Sequence, residues 1–583
     1  MYRPHLDAVA GSLALTAIVA MLPLITLFVL LGVLRITAWK AALASLAVSV
    51  VVAVLAYNMP IGQALDAGVE GAAFGFFPIL WIVINAIWVY NMTVVTGHFD
   101  VLRRSFAKVS DDQRIQAVII AFCFGALMEA LAGFGTPVAI TTVMLIALGF
   151  RPIKAAVVAL VANTAPVAFG ALAVPITTLA TVTGLPEHTL AQIVGRQTPL
   201  LGLFVPMALV FIIDKGRGVR QTLPATLTCG LTFAIAQFVT SNYVSTQLTD
   251  IVASLVSAAS VVLLLRFWQP AHPYVEAEEV GTEVRAAGVS HGSRGISKPG
   301  SSFAEVDEEV RESGYPIGMV TGATAAELAE RDRQHHDTAS DVFKAYAPYL
   351  IIIAVFSIAQ IPVIKDALAA PSKAFQWPGL DLQSASGKPS TVPLFKFNWL
   401  AAAGTLMLIA GLITIPVIGI SPVKAFRAYL DTYRQLAAAI VTVMAVLGLA
   451  YVMNSSGQTA TLGTWMAGAG AAFAVFSPIL GWLGVAVTGS DTSSNSLFGA
   501  LQVSAANKTG LSPALMAAAN SSGGVLGKMI SPQNLAIAAA AVGMSGKEGD
   551  IFRKVIGWSL GFLAFMCVIV YLQSTAVLSW MLP

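Results

Sequence analysis

The sequence predicts an all-α, polytopic membrane protein with about 12–14 transmembrane helices, built as two related and inverted repeats whose helices or hairpins break at the membrane midplane. Three observations carry this expectation. Of 583 residues, 57% are hydrophobic and only 11% charged, with a mean hydropathy of +0.78, whereas a soluble domain is about one-quarter charged. Apolar segments recur at lengths that cross roughly 30 Å of hydrocarbon as helices. Polar, glycine-rich interruptions then appear in the same order in both halves of the chain.

Taken in order, residues 13–34 form the first uncharged run. It is too long, and lacks the small-residue cleavage pattern, for a removed signal peptide, so it reads as a spanning helix. Further apolar segments start near 38, 71, 115, 155, 199, 222 and 249, and a second series starts near 345, 399, 436, 464, 493, 511 and 555. These define one membrane half over 1–268 and another over 342–583. Between them, 269–341 carries Glu276, Glu278, Glu279, Asp307, Glu308 and Glu309 beside Gly and Ser, the composition of a flexible soluble insert. His335 and His336 in that insert lack the Cys or third His of a metal site and read as solvated loop residues. A second polar stretch, 365–397, reads as an ordinary loop. Arg103, Arg104 and Lys108, then Lys215, Arg217 and Arg220, then Lys424, Arg427 and Arg434 cluster beside apolar segments, which assigns those three loops to the cytoplasmic side.

Several function classes drop out. The net charge of +3 is spread through loops and makes no basic face, so nucleic acid is not an expected partner. Cys123, Cys229 and Cys567 stand apart without a CxxC pair and read as small packing residues rather than a disulfide or metal set. Gly524 to Lys528 resembles a phosphate-binding loop, but that pattern needs Gly at Ser522 and a hydroxyl at Met529. Thr488-Gly-Ser-Asp491 suggests an aspartyl protease, yet no second Asp stands in a matching helix to share its proton. Neither an enzyme nor a cofactor is expected.

The repeat is legible in spacing. Glu129–Thr142 followed by Ala162–Thr178 matches Gly489–Gln502 followed by Ala519–Gln533. Gly135 to Asn163 is 28 residues and Gly489 to Asn520 is 31, while Asn163 to Pro175 and Asn520 to Pro532 are both 12. With Gly97 and Gly457, three landmarks recur at offsets of 360, 354 and 357. Two halves broken at equivalent places are how many secondary transporters build a midplane site.

Irregular backbone survives at membrane depth only where protein or a water-filled cavity satisfies it. Breaks are expected at Gly133–Pro137, Asn163–Pro166, Gly489–Asn495, and Asn520–Gly524 with Ser531 and Pro532. A helix N-terminus freed by a break offers unpaired N–H groups and partial positive charge, which suit a carboxylate. Hydroxyls beside it add donors, so the expected guest is a small polar anion. Glu129 is the only charge between Ile115 and Phe150, and Asp491, Lys508 and Lys528 are the only ones between Arg434 and Lys547. Glu129 and Asp491 suit proton carriers, because desolvation disfavours their charged forms. Lys528 either neutralises the substrate carboxylate or pairs with Asp491 or Glu129, and a charge pair locking two helices is the other reading of each residue. Lys508 precedes a turn signal and reads as a loop lysine. Arg196 follows Pro186-Glu187-His188 and reads as an interfacial helix end.

The runs EALAGFGTPVAI, NTAPVAFGA, GRQ, GWLGVAVTGSDTSSNSLFGALQ (Gly481–Gln502) and ANSSGGVLGKMISPQNLAIAAAAVG (Ala519–Gly543) resemble the L-lactate permease family. Its members are multi-pass symporters of the bacterial inner membrane that take up lactate, and often glycolate, with protons. The resemblance covers both halves and leaves out the insert, which is longer than it requires. It implies proton-driven uptake of a 2-hydroxymonocarboxylate, with lipid, substrate and protons as partners. It carries over Glu129, Gly135, Thr136, Asn163, Asp491, Thr492, Ser493, Asn495, Asn520, Lys528, Ser531 and Gln533 as candidate site residues. Thr164 and Ser521 stand beside them in the same runs. The alternative is an uncoupled anion channel or exchanger, which would use the same helix N-termini without a proton carrier.

Overall fold

The computed structural model describes residues 2–34, 36–107, 109–110, 112–131, 133, 135–274, 337–359, 361–383, 394–542, 544 and 548–583. The acidic runs and the His335–His336 pair lie outside the described residues. The N-terminal half runs α1 (Leu13–Leu31), α2 (Ala38–Leu55), α3 (Ile61–Val95), α4 (His98–Ala107), α5 (Gln113–Leu131), α6 (Thr136–Ala147), α7 (Pro152–Ala162), α8 (Gly170–Thr183), α9 (Glu187–Val239) and α10 (Thr249–Leu264). The C-terminal half runs α11 (Ala339–Ala359), α12 (Pro362–Ala369), β1 (Lys373–Gln376), β2 (Leu394–Phe397), α13 (Ala403–Ile418), α14 (Pro422–Gln435), α15 (Ala437–Ser456), α16 (Gln458–Met466), α17 (Phe473–Thr488), α18 (Asp491–Thr509), α19 (Pro513–Gly527), α20 (Pro532–Ala541) and α21 (Glu548–Gln573).

Among the described residues, nine helices are long and apolar enough to cross a membrane, or ten if the bent pair Pro152–Ala162 and Val167–Thr183 is one span. The sequence expectation is higher for a physical reason: several apolar segments fold as helices too short to cross. Thr136–Ile146, Thr249–Leu264 and Ala403–Ile418 are of this kind. Conversely, α9 is one helix by its hydrogen bonds but reverses at Asp214 and Lys215, where Lys215 has φ +52°.

Helix α5 is wholly buried; apart from Gln113, Arg114 and Gln116 in its first turn and Glu129 near its end, its side chains are apolar, as a helix enclosed on all sides requires. Around it the two halves interlock reciprocally. Helix α8 packs on α18 while α20 packs on α6, α7 packs on α21 while α19 packs on α9, and α13 packs on α3 while α2 packs on α15. Small residues permit the closest approaches; Gly523 and Gly527 of α19 lie on the backbone of Pro478 and Trp482 in α17.

The three basic loops share one end of the bundle. Arg114 joins Asp112 (2.7 Å) to Asp214 (2.9 Å) and donates to the His272 carbonyl; Arg104 pairs with Asp337 at 2.6 Å; Asn91 of α3 donates to Thr432 and Gln435 of α14. Residues 365–397, expected as a plain loop, instead contain part of α12 and an antiparallel hairpin pairing Lys373 with Phe397 and Gln376 with Leu394. Its flank is tied down by the N-terminus: Tyr2 bonds Asp381 and Gln383 through its backbone, and its hydroxyl donates to the carbonyls of Tyr57 and Ser456. Cys123 and Cys229, distant in sequence, meet with sulfurs 3.6 Å apart, and all three cysteines are buried and free.

Candidate functional site

Four helix breaks converge in the bundle centre. Helix α5 stops at Leu131, and α6 restarts from Gly135 at φ +80°. Helix α17 stops at Thr488, and Gly489 at φ +74° turns the chain into Ser490, whose Oγ accepts the Ser493 N–H at 3.3 Å as an N-cap for α18. A side chain at either glycine is disfavoured by the left-handed backbone, and its Cβ would have to push aside the tip of Ile537 or Gln533 of α20. Helix α7 gives way to a 3-10 turn at Val167–Phe169, and α19 to one at Lys528–Ile530 before Pro532 restarts α20. The break expected at Asn520–Gly524 is not there. Helix α19 runs through it, because its glycines pack the helix against α17 rather than open it.

One feature has no signal in the sequence. Ala171, Leu172 and Ala173 lie consecutively in the left-handed region, with φ of +44°, +58° and +60°. Each costs an L-residue about 1–2 kcal/mol, so three in a row form a strained turn held by its surroundings. The right-handed part of α8 follows at Val174 and Pro175.

A cavity of about 40 Å³ opens between these breaks. Glu129 and Gly133 line it from the end of α5, Gly170, Ala171, Val174 and Pro175 from the start of α8, Gly489 to Thr492 from the start of α18, and Lys528 from the last turn of the C-terminal half-site. Lys528 Nζ donates to Glu129 Oε1 at 2.6 Å, with both side chains almost fully buried, and Asn163 Nδ2 donates to Glu129 Oε2 at 2.9 Å. The pair therefore bridges the two halves of the chain. Asp491 Oδ2 accepts Ser521 Oγ at 2.5 Å and Asn495 Nδ2 at 3.3 Å. Its Oδ1 is buried without a hydrogen-bond partner and faces Gly524.

Of the candidate residues, Glu129, Asp491, Thr492 and Lys528 line the cavity together. The others stand behind it. Asn163 orients Glu129, and Ser521 and Asn495 hold Asp491. Asn495 also donates to the Pro175 carbonyl at 3.1 Å and accepts from Asn520 at 2.9 Å, and Asn520 accepts from Gln502 at 3.0 Å. Ser531 accepts from Asn534, Gln533 lies against Gly489, Ser493 supplies the capped N–H, and Thr164 donates to the Val161 carbonyl. Gly135 and Thr136 start α6, with the Thr136 hydroxyl buried and unpartnered. Ser490 and the α8 turn complete the lining and were absent from the candidates. Lys508 sits in the last turn of α18 rather than in a loop, and Arg196 lies inside α9, bonded to Asn242 and to the Met581 carbonyl at 2.9 Å each.

Known proteins give this arrangement a context. The family model for L-lactate permease matches residues 16–298 and 316–577. An L-lactate permease of Bacillus subtilis (strain 168) is 40% identical over 99% of this chain and 98% of its own length. An L-lactate permease of Escherichia coli (strain K12) is 40% identical over 98% of each chain, and a glycolate permease of the same strain is 40% identical over 98% of this chain and 97% of its own. These matches cover nearly the whole of both partners, so the insert adds no excess length over such relatives. Among solved structures, the YdaH transporter of Alcanivorax borkumensis overlaps at 15% identity and a TM-score of 0.41 over 84% of each chain, too loosely to carry an argument. A chain of apolar helices matched end to end by permeases is a multi-pass membrane protein of the transport class, and it belongs to the L-lactate permease family.

Proposed function

We propose that the protein is a secondary transporter of the bacterial inner membrane that takes up L-lactate, with D-lactate and glycolate, by proton symport and alternating access between two inverted repeats. The observation that supports this most directly is the Glu129–Lys528 pair at 2.6 Å, one partner from each half, lining one cavity with Asp491.

The coupling follows from counting charge. With Glu129, Asp491 and Lys528 ionised, the empty cavity holds one net negative charge. Adding a lactate anion alone would make it two, and unpaired charge in a dry site costs several kcal/mol. If Lys528 turns from Glu129 to the substrate carboxylate while Glu129 takes a proton, the total returns to one. The empty and doubly loaded carriers then match in charge, and a carrier loaded with anion alone does not. That asymmetry links substrate movement to proton movement. The carboxylate is received by Lys528 and by the start of α18, whose N–H groups and partial positive charge face the cavity. Substrate hydroxyls find acceptors in Ser490, Thr492 and Asp491. The cavity has room for about three waters, so the guest is small, and a hydroxyacid of six heavy atoms enters only as the breaks part.

Labelled L-lactate uptake into proteoliposomes tests this. Accumulation collapses with a protonophore, and accumulation that persists unchanged removes proton coupling. Glu129→Gln abolishes proton-driven accumulation but keeps lactate–lactate exchange; normal accumulation by that variant removes Glu129 from the proton role. Single-channel currents above carrier turnover would favour the uncoupled channel instead.

A further inference from the structure

Outside the cavity, the described residues hold another buried carboxyl in the N-terminal half. Asp250 stands in the first turn of α10 and is wholly buried. Its Oδ1 accepts Gln237 Nε2 at 2.8 Å, its Oδ2 has no hydrogen-bond partner, and no described Lys, Arg or His forms an ion pair with it. A structural carboxylate in such a place is normally paired, so an unpaired one calls for another role.

Its level in the bundle is fixed by the contacts below it. Helix α10 packs against α5 and α8. Ser257 Oγ of α10 lies 3.5 Å from Cys123 Sγ of α5. From that contact, Glu129 is six residues further along α5, toward the end opposite the basic loops, and Asp250 is seven residues back along antiparallel α10 in the same direction. At a rise of about 1.5 Å per residue these are climbs of about 9 and 10.5 Å. The two carboxyls therefore share a level on neighbouring helices. Gln247, just before α10, donates at 2.8 Å to Glu187 at the start of α9, so an acidic group also stands at the rim on this side.

Asp250 is also wired to the C-terminal half. Gln237 accepts Thr198 Oγ1 at 3.3 Å, the adjacent Gln197 accepts Ser522 Oγ at 2.5 Å, and Ser521 next to it holds Asp491. Other titratable or charged groups on the elements packed around α10 face elsewhere. Cys123 and Cys229 meet Ser257 two turns away, Arg196 is taken by Asn242 and Met581, and Tyr243 is exposed. His188 stands beside Glu187 in the first turn of α9. Asp214, Lys215, Arg217 and Arg220 lie about 25 Å or more along α9 from Gln237, and Arg114 is bonded to Asp112 and Asp214 at the far end of α5. Helix α8 carries no ionisable side chain.

We propose that Asp250 is a second proton-carrying carboxyl, passing the transported proton to Glu129 through a bridging water. The O–H bond at Asp250 Oδ2 breaks as the water accepts that proton, and the water releases another to Glu129 as Glu129 leaves Lys528. Asp250 ends as carboxylate, Glu129 as carboxylic acid, and the water unchanged. This rests on the symport reading above and adds the group that loads Glu129.

The test uses full-length protein in proteoliposomes with a gradient of one pH unit, which for one proton per anion supports roughly tenfold accumulation. Asp250→Asn is expected to lose that accumulation while keeping lactate–lactate exchange, and Asp250→Glu to restore it. Accumulation by Asp250→Asn equal to the parent overturns the proposal. Loss of exchange as well, without rescue by Asp250→Glu, also overturns it, because the residue is then structural. Failure of the unmodified protein to accumulate lactate on the gradient is a separate result: it removes the symport reading, and this proposal with it.

Discussion

The two breaks that face each other across the cavity reach their shape by opposite means. At the C-terminal one, a glycine makes the turn, a serine hydroxyl caps the new helix, and Asp491 is held by Ser521 and Asn495. At the N-terminal one, three L-residues occupy the left-handed region, and the hydroxyls of Thr136 and Thr178 and the Asn163 carbonyl oxygen are buried without partners. One side is a capped polar cradle in which one oxygen of Asp491 is left without a partner, the other a strained turn with three such groups. Strain and orphaned donors persist where an element has a second arrangement to reach. On the proposed transport reading, binding falls chiefly to the C-terminal break and movement chiefly to the N-terminal one, with the Glu129–Lys528 pair as the latch between them.

The largest expected effect comes from removing the latch at its shared point. Lys528→Ala leaves Glu129 buried and unpaired, a loss of about 3–5 kcal/mol, so lactate uptake should fall by at least roughly a hundredfold. The double variant with Glu129→Gln should recover folded protein, measured by thermal unfolding in detergent, without recovering uptake. If the single variant transports normally, the pair is neither latch nor binding group.

Much of this site was legible because charge and glycine are rare in apolar sequence. Glu129, Asp491 and Lys528 stood out for that reason, and all three line the cavity. Gly135 and Gly489 announced turns that only glycine makes without strain, and both are left-handed. The α8 turn was hidden, since Ala-Leu-Ala carries no preference for left-handed backbone and only its surroundings impose it. Asn520–Gly524 misled in the other direction, because small residues serve close helix packing as readily as they serve a break. Asp250 passed unremarked as the second residue of an ordinary apolar segment. What distinguishes it is its neighbours, which a single sequence does not display.

A smaller effect separates the cradle from the strained side. Asp491→Asn keeps shape but weakens the bond from Ser521, and a hydrogen bond to a charged acceptor is worth about 1.5–3 kcal/mol. The KM for lactate should rise by roughly tenfold or more, read from initial uptake rates over a substrate series. An unchanged KM with a reduced maximal rate would place Asp491 on the moving side instead, and the division of labour would have to be redrawn.

The smallest effect tests the strain itself, because a Cβ added to left-handed backbone at one break and a Cβ removed from it at the other should have opposite signs. Gly489→Ala puts a Cβ on left-handed backbone against Gln533 and should cost about 1–2 kcal/mol from the backbone alone. Ala173→Gly removes a Cβ from left-handed backbone at φ +60°, relieving a cost of that size while giving up one buried methyl group worth about 0.8 kcal/mol. The sum is close to zero or slightly stabilising, so thermal unfolding should stay at or just above that of the parent. In an ordinary right-handed helix the same exchange loses about 1 kcal/mol. A clear destabilisation by Ala173→Gly would mean that the turn after Gly170 is right-handed, and the strain assigned to the N-terminal break would be lost with it.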